Sequence, residues 1–109
     1  MTFRLYRLQR LTAALMVPLI VGHLATIIYA THTGLSAAEI LGRTRGSFGW
    51  ALFYGLFVLF AALHGAIGVR AVLGEWTSMH GRALDALMWG FGSTLIFIGA
   101  RAVYAVVAP

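Results

Sequence analysis

Cysteine is absent from the chain, which excludes disulfides and thiolate-ligated clusters. Acidic residues are scarce too: Glu39, Glu75 and Asp85 are the three present, and each lies at the boundary of an apolar run. A small transporter is expected to carry a carboxylate in mid-membrane, so this distribution argues against transport. Lysine is missing, and all eight basic residues are arginines spread over ends and loops. That scatter, for a net charge of +5, does not form the basic face that nucleic-acid binding requires. No internal repeat or low-complexity stretch is visible.

What is present in quantity is apolar residues, 61% of the 109, against 10% charged. The composition is that of an all-α membrane protein. Three segments, about residues 11–30, 48–72 and 83–107, are long enough to cross hydrocarbon as helices of ~20 residues. They take up most of the chain, which reads as a single transmembrane domain over 1–109 with no room for a soluble catalytic one. Arg4, Arg7 and Arg10 precede the first span, as in a secretory leader, but the run is too long and lacks a small-residue cleavage site.

Three spans put the N-terminus and the second loop on one side. That side holds Arg4, Arg7, Arg10, Arg70 and Arg82, against Arg43, Arg45 and Arg101 opposite. The positive-inside rule then predicts a cytoplasmic N-terminus in a multi-pass protein of the inner (cytoplasmic) membrane. In the outer loop, Ser36 and Glu39 have capping-box spacing for a short interfacial helix, with Gly42 and Gly46 available to end it. Pro18 predicts a kink in the first span, since it removes a backbone hydrogen bond. Trp50 and Trp76 near span ends suit headgroup-level anchors, and Asp85 suits the first turn of its helix.

Two histidines lie inside spans, where an imidazole asks for a partner. His64 shares a helical face with Phe57, Phe60, Ala61, Ile67, Gly68, Ala71 and Glu75. Small residues on that face admit a porphyrin whose iron takes the imidazole nitrogen. They equally admit close helix packing around a histidine bonded to a neighbouring helix, and spacing does not separate the two readings. His23 lies ~20 Å from Arg10 by helical rise, whereas His64 lies ~9 Å from Arg70, so the two do not suit one haem. His23 is therefore either the ligand of a second haem or a satisfied packing residue. Arg10 and Arg70 are placed to pair with a propionate or a quinone carbonyl, or simply to anchor the topology.

The run from His64 to Trp76, HGAIGVRAVLGEW, resembles the second transmembrane helix of the small cytochrome b anchor subunits of succinate dehydrogenase and fumarate reductase, whose usual form is His-x-x-x-Gly-x-x-x-Val-Leu-x-Asp-Tyr. Arg10, Leu11, Thr12 and Ala13 resemble the Arg-x-Ser/Thr-Gly/Ala opening of their first helix. The resemblance implies that His64 is an axial ligand of haem b and that Arg10 lies near its propionates. It puts Glu75 and Trp76 at the Asp-Tyr positions that border the site of a quinone, ubiquinone or menaquinone. Trp keeps an N–H donor there but has no titratable hydroxyl. His80, close to Glu75 in the sequence, is a candidate for proton delivery. Tyr6 stands where the larger anchor carries the Ser of a Ser-x-x-x-Arg motif, so the chain is more similar to the smaller of two anchors. The implied partners are a second membrane anchor, an iron–sulfur subunit, a flavoprotein subunit and the lipid bilayer. The implied role is non-catalytic, in electron transfer between succinate and the quinone pool. A haem-free structural subunit is the alternative reading.

Overall fold

The computed structural model describes residues 2–109. Helix α1 runs Phe3–Thr33, α2 Ala37–Thr44, α3 Phe48–Trp76 and α4 Arg82–Val107, and no strand occurs among the described residues. α1, α3 and α4 are each long and apolar enough to cross a membrane. The 49 Å length of the molecule exceeds the ~30 Å of a hydrocarbon core. The helices therefore continue past the apolar windows into headgroup depth, because hydropathy marks the hydrocarbon whereas caps set where a helix ends. Thr2 and Ser47 supply those caps, their hydroxyls accepting from Leu5 N–H at 3.3 Å and Trp50 N–H at 3.2 Å. α1 stays helical through Pro18.

α3 is the central helix, packed on α4 along one side and on α1 along another. Hydrocarbon gives no hydrophobic drive for helices to associate, so contact rests on close approach at small residues. A Cβ at Gly92 would lie 3.2 Å from Ala66 Cβ, and one at Gly99 would collide with Val58 Cγ1. Only a small core closes, around Ala66, Ile67 and Met88 with Leu5 and Leu8 against it, and most large apolar side chains face outward. Arg70 of α3 and Asp85 of α4 join the two helices at the arginine-rich end, with Arg70 Nε and Nη2 each 2.9 Å from Asp85 Oδ1.

The far end is closed by α2. Ser36 caps it as its spacing predicts, accepting from Glu39 N–H at 3.1 Å, while Arg43 donates to Gly34 O and to Thr33 Oγ1. Gly34 has φ +139°, and a Cβ there would collide with the Glu39 carboxylate. Thr44 Oγ1 donates to Val106 O and Gly46 N–H to Val107 O, which satisfies carbonyls left open at the end of α4. Gly42 does not end α2, which runs on to Thr44; the chain turns instead at Gly46, with φ +72°.

Candidate functional site

The polar groups between the spans gather at two levels, each centred on one of the two intramembrane histidines. α1 and α3 run antiparallel, so residues early in α1 meet residues late in α3. At the lower level, toward the arginine-rich end, Thr12 Oγ1 lies 3.2 Å from His64 Nδ1. Thr12 is buried at 1% exposure, the most enclosed polar side chain of the protein, and its hydroxyl also lies 2.9 Å from Leu8 O and 3.0 Å from Gln9 O. His64 is half-buried, and its Nε2 has no hydrogen-bond partner among the described residues. One turn away, Gln9 reaches toward Gly68, where a Cβ would lie 3.4 Å from Gln9 Nε2. Gln9 Oε1 is buried and without a partner among the described residues.

The upper level is built around His23. Its ring meets Phe57 edge-on at 5.2 Å and Tyr54 at 6.1 Å, and Tyr54 in turn stacks on Trp50. Its Nδ1 is buried without a partner among the described residues. His23 borders two cavities of about 450 and 440 Å³, one opening toward α4 at Gly99 and Val103, the other toward α2 at Ile40 and Arg43. The expectation of a satisfied packing histidine does not hold within this chain. From Thr12 to His23 is eleven residues of α1, ~16 Å at helical rise, so His23 and His64 stand at separate depths.

A family model, the succinate dehydrogenase/fumarate reductase transmembrane subunit, matches residues 1–100, nearly the whole chain. The chain belongs to that family. No curated protein and no solved structure matches it. The protein is thus a multi-pass transmembrane subunit of succinate dehydrogenase/fumarate reductase.

In this membrane subunit the residues expected to carry function are distributed unevenly. His64 sits in a defined polar contact. Arg70 pairs with Asp85 through Nε and Nη2. Arg10 is exposed on α1, donating to the Tyr6 hydroxyl at 3.1 Å with its charge over the Tyr6 ring. α3 persists to its end at Trp76, so Glu75 and Trp76 form its last turn; both side chains are exposed, and Trp76 is 82% exposed. His80 does not join Glu75; its Nδ1 lies 3.0 Å from Ser78 O. Trp50, in the first turn of α3, is half-buried against Phe53 and Tyr54.

Sequence reasoning missed the partners. Thr12, Gln9, Tyr54 and the Arg70–Asp85 pairing are tertiary matches between helices, and no local spacing encodes them. Thr12 alone carried a signal, as a hydroxyl residue just inside an apolar run within the motif at 10–13. Gly68, read as relief for a flat ring, faces Gln9 of α1, and Gly65 faces Leu95 of α4, so both serve helix approach here.

Proposed function

We propose that this subunit anchors a succinate:quinone oxidoreductase in the inner membrane and helps hold haem b and a quinone, with His64 as the residue that would hold the haem iron. The observation that carries the reading is the state of His64: one ring nitrogen is tied to α1 and the other is free, on a half-exposed ring. The donor set fits a haem, since a neutral imidazole nitrogen is a suitable iron ligand, and Gln9, whose Oε1 has no partner among the described residues, stands one turn away. A haem bound there supplies a one-electron carrier within the membrane.

The chain's own work is to bind, orient and exclude water. Three helices cannot wrap a flat ring on all sides, and the outward-facing apolar surface supports a second anchor subunit that completes the site and contributes the other ligand. Arg10, with the Tyr6 hydroxyl beside it, offers cationic and hydroxyl contacts for a propionate or a quinone oxygen near the arginine-rich end. Glu75 and Trp76 lie 11 and 12 residues beyond His64, ~16 to 18 Å nearer that surface. There Trp76 N–H can hold a quinone carbonyl while Glu75 or His80 passes protons from water. The iron–sulfur and flavoprotein subunits dock on the same side. Arg70, bound to Asp85, acts by fixing α3 against α4. His23, with its unpartnered Nδ1 and flanking cavities, is the candidate ligand of a second haem at the upper level.

The visible spectrum of the complex purified with its partner subunits tests the reading. A reduced-minus-oxidised haem b signal is expected. A fully active complex without haem would assign the chain to the haem-free structural alternative.

A further inference from the structure

We propose that Thr12 is a positioning residue for His64: its hydroxyl oxygen accepts the Nδ1–H bond and fixes the imidazole in the tautomer whose Nε2 lone pair faces outward for a haem iron. The proposal rests on the reading of His64 as a haem ligand and names the group that makes it one.

A threonine hydroxyl has one hydrogen and two lone pairs. Thr12 Oγ1 stands within 3.0 Å of two backbone carbonyl oxygens, Leu8 O and Gln9 O, neither of which can donate. If the hydroxyl hydrogen turned to His64, Oγ1 would face both carbonyls with lone pairs only, and no donor would reach it. With the hydrogen shared between the carbonyls, an Oγ1 lone pair points to His64 Nδ1 at 3.2 Å, and Nδ1 must supply the hydrogen. The Thr12 hydroxyl hydrogen and His64 Nδ1–H are then both satisfied. That condition weighs heavily at 1% exposure in a low-dielectric interior, where an unmade hydrogen bond costs about 1–3 kcal/mol. A neutral imidazole protonated at Nδ1 carries its lone pair on Nε2. The bond also fixes the plane of the ring, because Thr12 is β-branched and held in α1 by its own carbonyl contacts.

Metal-bound histidines generally donate their second N–H to an acceptor, which sets the tautomer and raises the basicity of the ligating nitrogen. Loss of such a partner weakens metal affinity about 10–100-fold. A more basic ligand favours the oxidised iron, so removing the acceptor moves the haem midpoint potential upward.

The test uses the whole complex, co-expressed with its partner subunits, carrying Thr12→Val, Thr12→Ser or His64→Ala. Valine keeps the branched shape and deletes the acceptor; serine keeps the acceptor. Haem affinity is read by titrating haem into the haem-depleted complex, and the midpoint potential by redox titration. Thr12→Val is expected to bind haem about 10–100-fold more weakly, with the potential of the bound fraction raised; Thr12→Ser is expected to restore both. A purely structural Thr12 would leave the potential unmoved. Where valine prevents assembly, Thr12→Ala, which leaves space rather than bulk, carries the same readouts. Parent-like affinity and potential in the valine or alanine variant overturn the assignment of Thr12 even if His64→Ala abolishes haem. Retention of haem by His64→Ala instead overturns the reading on which the assignment rests.

Discussion

The two intramembrane histidines differ in what their nitrogens meet. His64 has Nδ1 matched by a fully buried hydroxyl, and its neighbourhood is held by small-residue contacts and a small core. His23 has Nδ1 buried without a partner, aromatic edges on two sides, and open volume toward α2 and α4. At one level this chain supplies a partner for the histidine Nδ1; at the other it supplies none among the described residues. A buried histidine becomes a good ligand through the group that occupies its second nitrogen, and depth in the membrane does not supply that group.

The largest expected effect separates the packing of the two levels. Gly99 faces Val58 beside the His23 cavities, and a Cβ there already meets Val58 Cγ1. Gly99→Leu should push α4 from α3, costing about 1–3 kcal/mol or blocking assembly, while Gly42→Leu, which meets open space, should be silent. The yield of monodisperse complex measures this. Equal yields would mean that α3 and α4 do not approach as described.

Next in size is Trp76→Phe, which keeps the ring and removes the N–H donor. Losing one hydrogen bond of about 0.5–1.5 kcal/mol should lower the quinone-linked rate about 2- to 10-fold. Succinate oxidation with a soluble artificial acceptor should be unchanged. A fall in both rates alike would return Trp76 to the role of a membrane anchor.

Asp85→Asn removes the partner of Arg70. Asp85 is half-exposed, so the loss should be modest, ~0.2–1 kcal/mol, seen as a small drop in the Tm of the complex. Haem content should be that of the parent. A haem lost with Asp85 would show that Arg70 serves the lower level directly.

The smallest effect sharpens the contrast most. His23→Phe removes a buried, unpartnered nitrogen, so stability should be unchanged or slightly raised, and the haem held by His64 should persist. Disappearance of a distinct second haem would make the upper level a ligand site. Loss of the His64 haem would contradict the separation of the two levels.

The spans, the helical class, the Ser36 cap and the persistence of helix around His64 were legible in the sequence, because hydropathy and cap spacing are local. The rotation of each helix was not. α3 is apolar around its whole circumference, so no polar stripe shows which side meets α1 and which meets α4. The family motif identified His64, and the depth count separated it from His23. Neither could supply Thr12, since the contact joins residues 52 positions apart. Arg70 illustrates the same limit: a cation at the right depth for a propionate is, in the fold, committed to Asp85.

The central claim is that His64 holds a haem. The most direct measurement is the reduced-minus-oxidised spectrum of the assembled complex bearing His64→Ala, recorded beside the parent. The account predicts that the haem b signal assigned to the lower level disappears while the flavoprotein and iron–sulfur subunits still oxidise succinate with a soluble acceptor. An unchanged haem signal in that variant would contradict it.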